Sequence, residues 1–478
     1  MTGTGVRRDN LSVGREHRSA RYTGGMERCD ALVFFGATGD LAYKQIFPAL
    51  QALTKRGQLD MPVVAVGRKD VPIEELRAKA RKSIEENAKL DEEAFAKLAK
   101  NLAYAKVDYD DASSFQSIVK ALGGAKRPLH YVALPPETFE SVAKDLDAAG
   151  LAKGARLALE KPFGSDLASA KALSKALHAI FPEEAIFRID HFLGKEPVEN
   201  IVYFRAANPF VESSFCAADV DRVEITMAEK FGVEGRAKFY DAVGAIRDVV
   251  QNHLIQLVAC LAMELPSGSG HEALRDARSK VVAQMRTLRP EDVVRGQVEG
   301  YLSEEGVEKG SKTETFAAVR LFVDTPRWKD VPFHIRTGKA MATTVTEAQV
   351  VFKAKEAAVL EDDAPPPPNR LRFALGKEPA IHLAVNTKKG GTKMIGEPHE
   401  LTLKHAAGDD LPAYARLLGD ALVGDAQLFA REDATFESWR IVEPILGNTT
   451  PLHTYAKGSW GPEEAAKVGP RGGWGKVG

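Results

Sequence analysis

Cysteine is scarce in this chain, which has only three among 478 residues. Cys29, Cys216 and Cys260 are far apart in sequence and show neither metal-binding nor redox spacing. This usage excludes a small secreted domain held together by disulfides, and it predicts free, buried thiols in a reducing compartment. We therefore expect a cytoplasmic protein without a metal site.

Long hydrophobic runs are also absent, and the first residues lack the apolar core of a secretory signal. Net charge is nearly absent too, because 65 Lys and Arg residues face 66 Asp and Glu residues. Such a chain has no general attraction for nucleic acid or for an anionic membrane. We expect neither as a partner, and an anionic ligand must be held by a local cluster of cations.

The remaining composition, 44% hydrophobic and 27% charged, is that of a globular protein with more than one core. Residues 1–28 carry six arginines among Gly, Ser and Thr, so we predict a disordered tail there. Residues 29–190 are predicted to form a dinucleotide-binding domain, and residues 191–460 a substrate-binding and oligomerisation domain. The Gly-rich residues 461–478 are expected to be a flexible tail.

The first domain alternates short apolar runs with charged helical patterns, which is the order of βαβ units in a parallel sheet. Strands are predicted at 32–35, 63–66, 102–107, 129–134, 157–159 and 185–187, and the clearest helix at 73–100. This order predicts a doubly wound, Rossmann-like α/β domain.

In the second half, strands follow one another without intervening helices, at 316–323, 345–352 and 381–385. This predicts a larger α+β domain built on a mainly antiparallel sheet packed with helices. One long helix is expected over 241–263, and the prolines at 365–368 are expected to form a loop.

A dinucleotide site is predicted where the first strand runs into a glycine turn and a helix. There, glycines let the backbone approach a phosphate and the helix N-terminus offers free N–H groups. The spacing G-x-x-G-x-x-A lacks one glycine of the full fingerprint, so a simple tight turn is the alternative. The candidate cofactor residues are Gly36, Ala37, Thr38, Gly39, Asp40 and Leu41.

The second predicted strand ends in Val66-Gly67-Arg68-Lys69. NAD sites usually place a carboxylate at this point for the ribose 2′-hydroxyl, whereas a 2′-phosphate needs a cation. Arg68 can grip a phosphate with two charge-assisted hydrogen bonds, which favours NADP as the cofactor. The alternative is an exposed arginine without a ligand.

Three further segments carry a family resemblance: Glu160-Lys161-Pro162, residues 188–196 (RIDHFLGKE) and residues 247–253 (RDVVQNH). Together with the glycine turn and the RTGK segment at 336–339, in collinear order, they resemble glucose-6-phosphate dehydrogenases. The resemblance implies oxidation of glucose 6-phosphate at C1 to 6-phospho-D-glucono-1,5-lactone, with hydride transfer to NADP. This is the first, oxidative step of the pentose phosphate pathway.

The resemblance places the catalytic base at His253, a residue type whose pKa suits proton transfer near neutral pH. On α-helical geometry Asp248 lies about 140° around the axis from His253 and is poorly placed to orient its ring. The resemblance gives that role to Asp190, and it makes Asp248 a sugar-hydroxyl contact.

The resemblance assigns the substrate phosphate to His191 and Lys195, which share a face if their turn is helical. Taken singly, a lysine is more often a solvated charge and a histidine a buried structural group. The remaining implied substrate contacts are Glu229, Lys339 and Lys161, and Lys161 also lies against the cofactor.

This chain departs from the family pattern at Phe192 and Phe139, which replace common tyrosines, and at Thr343-Thr344, where some relatives carry basic residues. The last departure argues against a second, structural NADP site.

Two other functions remain open. An oxidoreductase of unphosphorylated sugars would not need His191 and Lys195, and a non-catalytic nucleotide-binding relative would be expected to lose His253 or Asp190. A homodimer or homotetramer is expected, because large sheets often pair across a two-fold axis.

Overall fold

The computed structural model describes residues 27–268, 270–354, 357–362, 364–404, 411–475 and 477. The predicted disordered tail at 1–28 lies outside these residues except for Glu27 and Arg28. Among the residues described, none of the helices combines the length and the apolar character that a membrane crossing requires.

The N-terminal sheet has six parallel strands in the order β3-β2-β1-β4-β5-β6. Its strands are β1 Ala31–Phe35, β2 Val63–Gly67, β3 Leu102–Lys106, β4 Pro128–Val132, β5 Arg156–Leu159 and β6 Ile186–Arg188. Its helices are α1 Phe47–Lys55, α2 Ile73–Asn87, α3 Glu92–Asn101, α4 Gln116–Leu122, α5 Phe139–Ala148 and α6 Leu167–His178. The predicted doubly wound fold is confirmed. The strand order reverses between β1 and β4, and ligands of such sheets bind at the carboxyl ends of the strands there.

The helix predicted over 73–100 is two helices, α2 and α3, so that prediction is wrong in its continuity. The backbone is extended at Ala88. The Asp91 side chain then accepts a hydrogen bond from the Ala94 N–H at 3.1 Å. The first N–H groups of a helix have no partner within the helix, and an Asp at the N-cap accepts a hydrogen bond from one of them. Asp91 therefore starts a new helix here.

The second sheet has nine strands in the order β14-β13-β12-β11-β7-β10-β9-β8-β15. It is mainly antiparallel as predicted, with parallel pairing at β7/β10 and β8/β15. Its strands are β7 Val220–Ala228, β8 Val293–Val298, β9 Phe316–Leu321, β10 Phe333–Gly338, β11 Val345–Phe352, β12 Arg370–Ala374, β13 Ala380–Lys388, β14 Gly396–Lys404 and β15 Leu452–Tyr455. The helices are α7 Glu196–Ala207, α8 Pro209–Ser214, α9 Ala237–Ala245, α10 Ile255–Ala262, α11 His271–Ala283, α12 Ala413–Val423 and α13 Glu432–Val442. Residues 365–368 form the expected loop before β12.

The long helix predicted over 241–263 is also interrupted. It consists of α9, a π-helical segment Ile246–Leu254 and α10. Gly244 breaks the first part with a φ of 68°, a left-handed conformation that favours glycine. A Cβ at Gly244 would lie 2.6 Å from a carboxylate oxygen of Glu314, so the break also admits a close neighbour.

The two halves share core contacts. Helix α12 belongs to the second half by sequence, yet Leu417 and Leu418 are buried in one cluster with Leu50 and Leu53 of α1. The sequence boundary near residue 191 therefore does not separate two independent cores. This packing holds the nucleotide-binding sheet against the segment that follows it.

The flexible tail predicted over 461–478 is wrong for most of its described residues. Val468 is buried, and its carbonyl lies 2.7 Å from His334 Nδ1. The Arg336 guanidinium lies between the rings of Trp460 and Trp474, at 4.4 and 4.3 Å from their centroids. The prediction rested on the many glycines and left out two tryptophans, whose large apolar surfaces dock the segment onto the protein. The cysteines are free as expected, but Cys216 is only partly buried.

Candidate active site

The glycine turn after β1 lies against the end of β2. The N–H groups of Gly36 and Ala37 both donate to the Val66 carbonyl at 3.1 Å. Gly36 has a φ of +82°, and a Cβ there would lie 2.4 Å from the Ala133 carbonyl oxygen. Only glycine fits such a position. The chain becomes helical at Asp40, directly after the turn. This is a cradle of the kind that a dinucleotide phosphate needs.

Arg68 follows β2 at the rim of this cradle. It is 56% exposed, lies 3.5 Å from Asp110 and stacks 5.0 Å from the Tyr109 ring centroid. An exposed ion pair of this kind is weak, so a phosphate can take the place of Asp110. Lys79 of α2, which sequence reasoning did not select, donates to the Thr38 carbonyl at 2.8 Å. The turn and its cations fit the phosphates of a nicotinamide dinucleotide.

Asp190 follows β6 and meets His253, which lies on the π-helical segment. The distance between Asp190 Oδ1 and His253 Nδ1 is 2.5 Å, and both side chains are buried. The same carboxylate oxygen accepts the Phe192 N–H at 3.0 Å. With Nδ1–H donating to Asp190, the lone pair of His253 remains on Nε2, where a base would use it.

The α-helical geometry expected between Asp248 and His253 is wrong, because this segment is π-helical. In a π-helix residues five apart are hydrogen-bonded neighbours, so the two side chains lie on nearly the same face. Asp248 is nevertheless held by another group. The Lys161 ammonium donates to its Oδ1 at 2.9 Å and to its carbonyl at 2.6 Å.

His191 and Lys195 do not lie in a helical turn, which was the condition for their sharing a helix face. Residues 191–194 form a turn, and Lys195 is the N-cap of α7. The Lys195 ammonium lies 4.2 Å from the centre of the Phe192 ring, which itself stacks on His253 at 5.2 Å. The rings of His191 and His253 are 4.5 Å apart. The buried ring of Phe192 thus links the predicted base to the predicted phosphate cation.

Glu229 and Lys339 follow the neighbouring parallel strands β7 and β10. The register pairs Ala228 with Gly338, so the two side chains emerge side by side. The Lys339 ammonium forms an ion pair with the Glu229 carboxylate. Strand pairing therefore brings together two predicted substrate contacts that are more than a hundred residues apart in sequence.

Two family models match successive parts of the chain between residues 33 and 474. Residues 33–200 match the glucose-6-phosphate dehydrogenase NAD binding domain, and residues 202–474 match the C-terminal domain of the same family. The chain belongs to the glucose-6-phosphate dehydrogenase family. The resemblance inferred from its motifs is confirmed.

Curated relatives and solved structures agree with this assignment. Glucose-6-phosphate 1-dehydrogenase 1 of Mycobacterium tuberculosis is 42% identical over 93% of this chain and 96% of its own length. A crystal structure of glucose-6-phosphate 1-dehydrogenase from Mycobacterium avium superposes with a TM-score of 0.87 at 42% identity, covering 95% of this chain and 99% of that one. A glucose-6-phosphate dehydrogenase solved in complex with its substrate glucose-6-phosphate gives 0.86 at 30% identity, with the same coverage.

This family member also has a buried acid that the sequence reasoning missed. Burial raises the pKa of Glu160 to about 7, and its carboxylate accepts the Tyr131 hydroxyl at 2.8 Å. Tyr414 of α12 also hydrogen-bonds Glu160, and its ring is parallel to that of His191 at 6.2 Å. Tyr414 is far from both in sequence, so no local pattern could have indicated this contact.

The charges of the His253–Asp190 pair follow from burial and pairing. Burial lowers the pKa of His253 below its ordinary value despite the opposing effect of Asp190. Burial alone would raise the pKa of Asp190, but the interaction with His253 and the Phe192 amide outweigh it and keep the carboxyl ionised. Burial also lowers the pKa of His191, and Lys161 holds the pKa of Asp248 at about 2 despite its burial. A neutral His253 beside an anionic Asp190 is the arrangement that a general base needs.

The pH dependence of kcat/KM should report His253. A histidine acts as a base only when neutral, and the pKa of His253 in the free protein is lowered from 6.5, so kcat/KM should be level at neutral pH and fall only below about 6.5. This quantity reports the ionisations of the free enzyme and of the free sugar phosphate, and the phosphate ionises at about pH 6. Glu160→Gln is the control for a second group titrating near 7. An acid limb centred above 6.5 that persists in this variant would contradict a depressed His253 pKa.

Proposed function

We propose that the chain oxidises glucose 6-phosphate at C1 to 6-phospho-D-glucono-1,5-lactone, with NADP as the hydride acceptor. The observation that carries the proposal is the buried His253–Asp190 pair beside the phosphate-binding candidates His191 and Lys195. A base and a cationic cluster at the junction of the two domains suit a phosphorylated sugar whose C1 hydroxyl must lose a proton.

In the proposed reaction, His253 Nε2 takes the proton of the C1 hydroxyl while the hydride leaves C1, so that the hemiacetal becomes a lactone. NADP supplies the nicotinamide carbon that accepts the hydride. Asp190 remains ionised and stabilises the imidazolium that forms. Because Asp190 is fixed by the Phe192 N–H as well, the imidazole ring keeps one orientation throughout.

The sugar is proposed to contact Asp248 and Glu229, whose carboxylates accept hydrogen bonds from its hydroxyls. Each is already paired with a lysine, Lys161 and Lys339 respectively. These lysines fix the direction of the carboxylates and offset the repulsion between them and the substrate phosphate. His191, neutral in the free protein, contributes its one N–H donor to the phosphate, and Lys195 contributes the charge.

The reaction is tested by its stoichiometry. Purified protein incubated with NADP and glucose 6-phosphate should form reduced NADP and phosphogluconolactone in equal amounts, the latter measured as phosphogluconate after hydrolysis. Cofactor reduction without phosphogluconate, or neither product, would overturn the proposal. The second outcome would favour a non-catalytic nucleotide-binding relative, although both members of the proposed catalytic pair are present and bonded.

The choice of NADP is supported by Arg68, so Arg68→Ala should raise the KM for NADP about 10- to 100-fold and hardly change turnover with NAD. The reason is the loss of a charge-assisted contact to the 2′-phosphate. Titration calorimetry with each cofactor measures the same change independently of turnover. Arg81→Ala, which removes an exposed arginine paired with Glu85 and Glu92, is the control. Equal losses with both cofactors would show that Arg68 does not read the 2′-phosphate.

We also propose that the protein is cytoplasmic and assembles as a homodimer or homotetramer. Free thiols at its three cysteines suit a reducing compartment.

The proposed assembly is supported by the outer strand β14, on which the side chains of Leu401 and Leu403 are 54% and 53% exposed. Apolar side chains on an edge strand are suited to being covered by a second copy.

A further inference from the structure

Lys339 stands at a point where the backbone is strained. Its own N–H donates to the Thr315 carbonyl at 2.9 Å. The next residue, Ala340, has a φ of +50°, a left-handed conformation that is costly for a residue with a Cβ. Such a conformation persists only where surrounding contacts enforce it. The direction of the Lys339 side chain therefore depends on what holds this turn.

Two segments hold this turn. The Phe231 and Glu229 carbonyls accept the N–H groups of Ala340 and Met341, both at 2.9 Å, and residues 455–459, which we call the C-terminal strap, form further bonds. The Gly458 N–H donates to the Ala340 carbonyl at 2.8 Å, and the Ser459 carbonyl accepts the Ala342 N–H at 3.0 Å. The Tyr455 hydroxyl lies 2.7 Å from the Lys339 carbonyl oxygen. The strap thus bonds to the backbone of Lys339 and of the strained residue after it.

The donors and acceptors around the Tyr455 hydroxyl determine where its proton points. The Val298 N–H donates to Thr315 Oγ1 at 2.8 Å, and Thr315 Oγ1 lies 2.8 Å from the Tyr455 hydroxyl oxygen. The Lys339 carbonyl oxygen can only accept, so its contact with the Tyr455 hydroxyl uses the single proton of Tyr455, and Thr315 Oγ1 donates its own proton to Tyr455. The Tyr455 proton is then directed to the Lys339 carbonyl, which is closer than the Thr315 carbonyl at 3.2 Å. The hydroxyl is buried with the rest of Tyr455.

We infer that Tyr455 is a positioning residue for the reaction: its hydroxyl holds the backbone of Lys339 so that the ammonium meets Glu229 and the bound sugar. The inference rests on the proposed function, because it takes Lys339 as a substrate contact. None of the contacts described for the strap involves the glycine turn at 36–41 or Arg68, the candidate cofactor residues. Loss of the hydroxyl should therefore change sugar binding and leave cofactor binding unchanged.

Tyr455→Phe removes the hydroxyl and keeps the ring that packs against Phe316 at 5.7 Å. We expect the KM for glucose 6-phosphate to rise about 3- to 10-fold, with kcat changed less and the Kd for NADP unaltered. Tyr301→Phe is the matched control. It is equally buried in the same cluster, but its hydroxyl bonds Asp241 at 2.8 Å, and it should leave the KM unchanged.

A double-mutant cycle with Lys339→Ala separates positioning from general destabilisation. In the Lys339→Ala background, Tyr455→Phe should add nothing to the KM. An unchanged KM in Tyr455→Phe alone, or the same increase in both backgrounds, would overturn the inference. If Lys339→Ala itself leaves the KM unchanged, the substrate role of Lys339 fails, and the inference fails with it. Should Tyr455→Phe not fold, replacing Tyr455 with 4-fluorophenylalanine removes the same proton with little change in volume and must raise the KM in the same way.

Discussion

Replacing His253 with asparagine should lower kcat at least about 10²-fold, because positioned general bases contribute about 10²- to 10⁴-fold. Asparagine keeps a hydrogen-bonding side chain in the cavity but has no lone pair able to take up a proton near neutral pH. Binding of glucose 6-phosphate should change little, since the proposed phosphate contacts are the neighbouring residues His191 and Lys195 and not His253 itself. Rapid-quench or steady-state turnover, together with substrate titration, measures both quantities.

A second buried histidine provides the control for this variant. His334 is 5% exposed and its Nδ1 pairs with the Val468 carbonyl, so His334→Asn makes a comparable change outside the site. It should leave kcat within a few-fold even if stability falls. Asp190→Asn should lower kcat as well, because the amide has no charge to stabilise the imidazolium and can donate to Nδ1 of His253, which shifts the ring proton to Nε2. Near-normal turnover in His253→Asn would exclude His253 as the base.

Lys195→Ala should lower kcat/KM for glucose 6-phosphate about 10²-fold or more, from loss of a charged hydrogen bond of about 1.5–3 kcal/mol and of substrate positioning. Binding energy from the remote phosphate helps to place C1 at the base, so kcat should fall as well as KM rise. Activity towards free glucose, which lacks the phosphate, should not fall in parallel.

The matched control for Lys195→Ala is Lys171→Ala. Lys171 also lies over an aromatic ring, that of Phe436 at 5.9 Å, but on helix α6. Removing it tests whether loss of a lysine from a phenylalanine face has any general effect on turnover. Equal reductions by Lys195→Ala with glucose and glucose 6-phosphate would mean that Lys195 supports the fold or the cofactor site and does not read the phosphate.

The fold was predictable where local signals agree. Alternating patterns located the predicted strands to within three residues, and strand β11 has the bounds that were expected. The glycine turn was recognisable because Gly36 occupies a position that no other residue fits. The predictions of continuous helices at 73–100 and 241–263 were wrong for local reasons. Asp91 caps a new helix within the first segment, and the left-handed Gly244 interrupts the second, although both segments have a helical pattern.

The site was predictable only as a set of motifs. Periodicity gives no sign that residues 246–254 are π-helical, so the relation between Asp248 and His253 was misjudged. The contacts of Tyr414 with Glu160 and of Tyr455 with Lys339 join residues that are more than a hundred positions apart. Such contacts arise from tertiary packing, for which the local sequence carries no signal.

We propose that the domain junction combines a base for C1 with groups that bind the sugar phosphate. The most direct test compares kcat/KM of the unaltered protein for glucose 6-phosphate and for glucose, with NADP, by the absorbance of the reduced cofactor. We expect a preference for glucose 6-phosphate of at least about 10²-fold, the effect of losing charged phosphate contacts. Equal values for the two sugars, or a higher value for glucose, would contradict the claim.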